Sequence, residues 1–171
     1  MKIKLTPFEK PDFDRFISWV VDEELLMTIA GFDLKYPVDH TQLSAYLDIP
    51  KSLPFNVVID ENNVIGHAEI IRITDSMCKL DKVLIADKNL RGKGLGEKLM
   101  HALLEYSFNE IRMNEVELNV YDWNLSGIRC YEKVGFTKNP GKEQVTEYGS
   151  KSWEYFNMSI DKNTWTLKLK N

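Results

Sequence analysis

Apolar and polar residues alternate over residues 2–6, with Ile3 and Leu5 set against Lys2 and Lys4, which predicts a short edge strand. Phe13, Phe16, Ile17, Val20 and Val21 then recur at helical spacing behind Asp12, a capping residue type, and predict a helix from about Asp12 to Glu24. Gly31 and Pro37 interrupt the next stretch, and Asp39 to Leu47 reads as a second, short helix. Two β-rich runs, Phe55 to Ile59 and Val64 to Thr74, flank the polar turn Asp60-Glu61-Asn62-Asn63 and predict a hairpin. Met77 to Ile85 is a third strand, more apolar toward Val83-Leu84-Ile85. Leu95, Leu99, Ala102, Leu103 and Phe108 share one helical face. Val116, Leu118 and Val120 alternate with Glu117, Asn119 and Tyr121 as a half-buried strand. Asn124 can cap a helix running to about Lys133, with Gly135 as its terminator, and Trp153 to Ile160 is a last strand. No repeat or Gly/Ser/Pro-rich linker divides the chain, so residues 1–171 read as one α+β (mixed α/β) domain.

Charge narrows the partners. The 22 basic and 26 acidic residues give a net charge of -4, and the basic stretch Lys138 to Lys142 is thin and interrupted, so nucleic acid is not an expected partner. No window approaches the ~18–20 apolar residues of a membrane span. Two cysteines, Cys78 and Cys130, are too few for a disulfide framework, and the N-terminus has no apolar signal core; a cytoplasmic protein is expected.

Candidate chemistry centres on Arg91-Gly92-Lys93-Gly94-Leu95-Gly96, which lies between a strand and an amphipathic helix. Without Cβ atoms the backbone there can turn sharply and bring N–H groups close to a ligand. The first amides of the following helix lack helical acceptors and carry the positive end of its dipole, which makes a pyrophosphate site beside two cationic side chains. A Walker loop fails on spacing, because Asp87 holds the first glycine position and Gly94 follows Lys93. The dinucleotide fingerprint fails as well, since the glycines read Gly-x-Gly-x-Gly.

The loop resembles the Arg/Gln-x-x-Gly-x-Gly/Ala signature of the GNAT acetyltransferases. Asn124-Leu125-Ser126-Gly127-Ile128-Arg129-Cys130-Tyr131-Glu132-Lys133-Val134-Gly135-Phe136 resembles that superfamily's second signature. The pattern Asp12-x-x-x-Phe16-x-x-Trp19 is similar to the branch of ribosomal-protein N-terminal acetyltransferases (RimJ/RimL type). What the resemblance implies is a central twisted mixed sheet flanked by helices, with central strands splayed into an acetyl-CoA cleft. It implies acetyl transfer from acetyl-CoA to a primary amine, by direct attack in a ternary complex. Leu84 and Ile85 would offer backbone groups to the pantetheine arm and the thioester oxygen, Arg91 to Gly96 would hold the pyrophosphate, and Asn124 would contact the cofactor or serve only as a cap. Tyr131 would protonate the departing thiolate, or else be a packed aromatic. A phenol near pKa ~10 suits a thiol about 1.5 units lower.

The general base is less determined. Positions where related enzymes carry a carboxylate hold Asn119 and Cys78 here. Glu69, His67, Asp81 and Asp122 remain, and Glu69 is the candidate base, sharing a strand face with His67. Cys130 and Cys78 read as packed thiols rather than nucleophiles, and no metal site is expected.

The expected acceptor is a small amine or a peptide N-terminus, bound about Glu23 to Tyr46 and Lys138 to Lys151. Glu23, Glu24, Asp33, Asp39 and Asp48 with Phe32 and Tyr36 would suit a cation there. A homodimer is compatible with the resemblance, although no sequence feature fixes its interface. The rival reading is a noncatalytic acyl-CoA-binding or sensing module, favoured by Asn119 and Cys78 and opposed by Tyr131.

Overall fold

The computed structural model describes residues 2–60, 62–90 and 92–170. The edge strand β1 (Ile3–Pro7) leads through a short turn of helix, Lys10–Asp12, into α1 (Phe13–Trp19). The single helix expected from Asp12 to Glu24 is in fact two. α1 ends at Trp19, Val20 leaves helical geometry at φ -87°, ψ 83°, and α2 (Glu23–Ala30) begins anew behind Asp22. Asp22 starts it by accepting a 2.7 Å hydrogen bond from the Leu25 amide. Asp12 makes no capping bond of its own to α1; it accepts instead from Glu9 N, Arg15 and Asn56. α3 (His40–Leu47) is capped by Asp39, which accepts from Gln42 N at 2.8 Å.

β2 (Ser52–Ile59), β3 (Asn63–Arg72) and β4 (Met77–Ile85) form an antiparallel meander. α4 (Leu95–Glu105), prolonged by a wider turn over Tyr106–Glu110, crosses to β5 (Glu115–Tyr121), which pairs parallel with β4. α5 (Leu125–Val134) follows, then β6 (Thr137–Lys138), β7 (Gln144–Tyr148), β8 (Lys151–Asp161) and α6 (Lys162–Lys168). The sheet order is β1-β2-β3-β4-β5-β8-β6, with β7 also on β8, a mixed sheet of eight strands. Among the described residues no helix is long and apolar enough to cross a membrane.

Alternation along β3 shows why both faces are covered. Ala68 and Ile70 join the core made with Leu99 and Leu103 of α4 and Trp165 of α6. His67, pointing to the opposite face, meets the rings of Phe8 and Phe16 at centroid distances of 4.7 and 5.0 Å. Phe16, Leu26, Leu43 and Tyr46 of α1–α3 complete that second core.

β4 contains one irregularity that governs the site. Asp81 pairs with Glu69 and Leu84 with His67, so two residues, Lys82 and Val83, stand opposite Ala68 alone. Lys82 takes up the surplus at φ 46°, a left-handed backbone that costs a non-glycine residue about 1–2 kcal/mol. The bulge reverses the side-chain parity of the strand. Cys78 and Leu80 enter the α4 core before it, and Val83 and Ile85 pack against that core after it.

Candidate active site

Two strands separate to make the site. β4 and β5 pair from Met77↔Glu115 to Leu80↔Leu118 and then diverge. A cleft of about 360 Å³ opens between Asp81–Val83 on one side and Asn119–Tyr121 on the other, roofed by Met27 to Asp33. A second cleft of about 450 Å³ runs from Val83–Ile85 beneath Gly96, Ser126, Gly127 and Cys130. Thr28, Ile29, Val83, Asn124 and Tyr131 line both, so these residues mark the junction.

Backbone direction on β4 corrects one expectation. The Leu84 carbonyl oxygen would lie 2.0 Å from a Cβ placed on Gly66, and Ala86 N donates to Ile65 O at 2.9 Å. Leu84 therefore turns its backbone toward β3. Because successive residues alternate, Val83 and Ile85 present their N–H and C=O groups to the open edge. The bulge has moved the pattern by one residue.

Gly92 and Gly94 sit at φ 73° and 75°, with nothing within 4 Å of an added Cβ. Gly94 is the N-cap of α4, so the amides of Leu95, Gly96 and Glu97 have no helical acceptor and Lys93 is exposed beside them. The Leu95 side chain is core, 2% exposed, and only its amide can serve a ligand. Glu97, an anion in this first turn, is paired with Lys133 Nζ at 2.5 Å, which limits its repulsion of a bound phosphate. Arg91 lies outside the described residues. Open, positive-φ glycines at a free helix N-terminus fit a pyrophosphate.

α5 is set in place at both ends. The Asn124 side chain accepts from Gly127 N at 3.1 Å, and a Cβ on Gly127 would come within 2.7 Å of Asn124 Nδ2. At the other end Gly135 N and Phe136 N both donate to the Tyr131 carbonyl at 3.0 Å, with Gly135 at φ 120°. The Tyr131 ring packs near Phe136 at 6.1 Å, and the surrounding protein, with Cys130 as a lesser cause, pushes its phenol up to about 12. That hydroxyl stays protonated at neutral pH. Burial raises the Cys130 and Cys78 thiols too, which keeps them protonated and unreactive.

Glu69 does not reach the cleft. It is 1% exposed, accepts from the Ser52 hydroxyl, and pairs with Lys82 Nζ at 2.7 Å. His67, on the same face, bonds Tyr46 Oη through Nε2 at 3.1 Å, and burial followed by Lys82 lowers its pKa to about 3. The face that these two share is closed by α1–α3. Of the candidate bases, the carboxylate that does line the cleft is Asp81, which accepts from Lys79 Nζ and from Lys82 N, each at 2.8 Å. Asn119 lies across from it and accepts from Asn157 Nδ2 at 3.1 Å. Lys82 was missed in the sequence because lysines are seldom buried; the two charged residues in succession, Asp81-Lys82, which break the alternation of the strand, were the available signal.

Aromatic rings crowd the far end of β5. Tyr121 and Trp123 stack with centroids 5.5 Å apart, and Trp153 stands edge-on to both, 5.1 and 5.4 Å away. Trp123 is 46% exposed and lines the second cleft. Of the acidic residues expected around an acceptor, Glu23 and Asp33 line openings, Glu24 is paired with Lys151, and Asp39 is a helix cap.

A family model described as acetyltransferase (GNAT) family matches residues 9–136. The aminoglycoside N(6')-acetyltransferase type 1 of Klebsiella pneumoniae is 44% identical over 55 residues, 32% of this chain and 27% of that protein, so the match spans only about a quarter of the relative's length. An N-acetyltransferase 9-like protein of Nematostella vectensis is 23% identical over 175 residues, covering 94% of this chain and 88% of its own. In fold, the chain is similar to the spermidine N-acetyltransferase of Vibrio cholerae in complex with CoA and spermine, with TM-score 0.79, 20% identity, and coverage of 96% and 98%. With the family model spanning both signatures and both of the splayed strands, the chain belongs to the acetyltransferase (GNAT) family.

Proposed function

We propose that the protein is an acetyl-CoA-dependent N-acetyltransferase acting on a small amine that carries more than one positive charge. The observation that carries this reading is Tyr131 at the junction of the two clefts, with the glycine loop at one end and Asp81 at the other. Bound acetyl-CoA would supply an acetyl thioester and a thiol leaving group. The Leu95–Glu97 amides and Lys93 hold its pyrophosphate, the Val83 and Ile85 backbone holds the pantetheine arm, and Asn124 borders both. The Ile85 or Val83 N–H would hold the thioester oxygen. Tyr131 gives its phenolic proton to the departing sulfur. Asp81 orients the ammonium and passes its proton to water.

The choice of a small polycation rests on the relatives' activities, on spermidine and aminoglycosides. Asp33 and Asp81 near the junction, and Glu23 and Glu147 in the adjoining opening, suit such a molecule. The pattern from Asp12 to Trp19 that resembles the RimJ/RimL branch supports a second reading, a peptide N-terminus. The experiment is acetyl-CoA titration by calorimetry, followed by thiol release with spermidine, an aminoglycoside and a peptide. Micromolar acetyl-CoA binding and turnover of either small amine support the proposal. Turnover of the peptide alone favours the second reading, and binding without turnover of any amine returns the chain to a sensing module.

A further inference from the structure

Lys82 has no part in the chemistry above, yet it is a deeply enclosed cation beside the acceptor cleft, at 2% exposure. Its Nζ lies 2.7 Å from Glu69 Oε2 and 2.8 Å from Asp33 Oδ2, and 5.2 Å from the centre of the Tyr46 ring. Glu69 is itself held by the Ser52 hydroxyl on its other oxygen. A chain of polar contacts therefore runs across the sheet, from Ser52 on β2 through Glu69 on β3 and Lys82 on β4 to Asp33. Asp33 belongs to the connection between α2 and α3, beyond Gly31 at φ 54°, and its side chain is 56% exposed. With Gly31 and Phe32 it forms a lip over the cleft that holds Asp81 and Tyr131.

The bulge makes this contact available. Without the extra residue, strand alternation would send the side chain after Asp81 into the α4 core. With it, Asp81 and Lys82 both serve the face beneath α2. Lys82 Nζ occupies only Oδ2 of Asp33; among the described residues Oδ1 has no hydrogen-bond partner.

We infer that Lys82 is a positioning residue that ties the Gly31–Asp33 lip to the sheet, holding the Asp33 carboxylate where it meets the ammonium of the acceptor. The inference rests on the proposed acceptor cleft. Backbone contacts such as Asp33 N to Ala30 O at 3.1 Å already hold the connection, and the buried pair adds to them by fixing the Asp33 side chain. The free oxygen of Asp33 then binds the amine without first having to be ordered.

The test compares Asp33→Asn, the pair removal Lys82→Met with Glu69→Met, and the triple variant. Removing both members of the buried pair leaves no stranded charge, and Asp33→Asn keeps that pair whole, so its folding is secured independently. Readouts are kcat and KM for spermidine and the acetyl-CoA Kd. Asp33→Asn is expected to raise the amine KM about tenfold, the loss of one charge-assisted hydrogen bond, with kcat within about threefold and acetyl-CoA Kd unchanged. The pair variant is expected to match it, and the triple variant to be no worse than either. Wild-type KM in Asp33→Asn, or effects that multiply in the triple variant, overturns the inference. Asp81→Asn run alongside separates the two failures. If it impairs turnover while Asp33→Asn does not, only the lip assignment falls; if both are silent, the acceptor cleft lies elsewhere.

Discussion

Replacing Tyr131 by Phe removes one oxygen atom at the junction of the clefts. The hydroxyl has no hydrogen-bond partner among the described residues, so its loss strands no donor or acceptor, and stability should change by no more than about 0.5 kcal/mol. Activity is another matter. A positioned general acid contributes about 10²–10⁴ in rate, which corresponds to roughly 3–5 kcal/mol of barrier. The pKa of about 12 adds a second constraint. Burial favours the neutral phenol, so at pH 9 only about one molecule in a thousand has lost the proton. The assay is steady-state thiol release at saturating acetyl-CoA and amine from pH 6 to 10, with calorimetry for cofactor affinity and thermal unfolding for stability. The expected variant has kcat lowered at least a hundredfold, acetyl-CoA Kd within twofold, and an unchanged melting temperature. In the wild type, no decline in kcat below pH 10 should be traceable to this residue. A Phe variant within threefold of wild-type kcat refutes the acid role. A wild-type alkaline limb near pH 10 that vanishes in the Phe variant refutes the environment assigned to the hydroxyl.

Gly94→Ala meets no atom within 4 Å, so its effect is conformational: about 1–2 kcal/mol against φ 75°, which lets the free loop relax to negative φ so that binding must restore the turn, expected as a roughly tenfold weaker acetyl-CoA Kd by calorimetry. Glu69→Gln breaks a buried ion pair, and urea unfolding should show a loss of about 3 kcal/mol with no change in the shape of the pH–rate profile; an altered profile would return Glu69 to the chemistry. His67 is held neutral, its pKa near 3 in the fold against about 6.5 unfolded, so the unfolded chain binds the extra proton below pH 6.5. Stability should therefore fall with falling pH, by about 2 kcal/mol at pH 5 (1.5 units at 1.36 kcal/mol each), and His67→Gln should flatten that slope in urea titrations. Desolvation opposes the charge on Lys82 but Asp81 and Glu69 outweigh it, so its pKa is raised and its contribution persists until pH rises through that folded value.

Local chemistry was legible where neighbours in sequence decide it. The bounds of β4 follow from apolar Cys78 and Leu80 in alternation and the apolar end Val83-Leu84-Ile85, and Asn124 and Gly135 delimit α5 because capping is settled within a few residues. Asp161 three residues before Thr164 is the same kind of signal and could have disclosed α6, just as Asp22 before Leu25 could have divided the first helix. Other features depend on groups far apart in the chain. Counting in twos from Leu80 assigns Leu84 to the wrong edge, because the residue that breaks the count, Lys82, is stabilised by Glu69 and Asp33, 13 and 49 positions away. Glu69 looked like a free carboxylate for the same reason. β7 is an exposed strand whose pairing with β8 leaves little apolar alternation to read.

The rings at the end of β5 also give the protein an optical signature. Trp123 and Trp153, with ring planes 70° apart and centres 5.4 Å apart, are close enough for their excited states to mix. Such a pair produces a signed couplet in circular dichroism whose size follows the angle between the rings. The other two tryptophans, Trp19 and Trp165, belong to α1 and α6 and contribute a constant background. A molecule entering beside Trp123 and turning it would change the couplet while the helical signal stayed still, so occupancy of the cleft can be followed without any label.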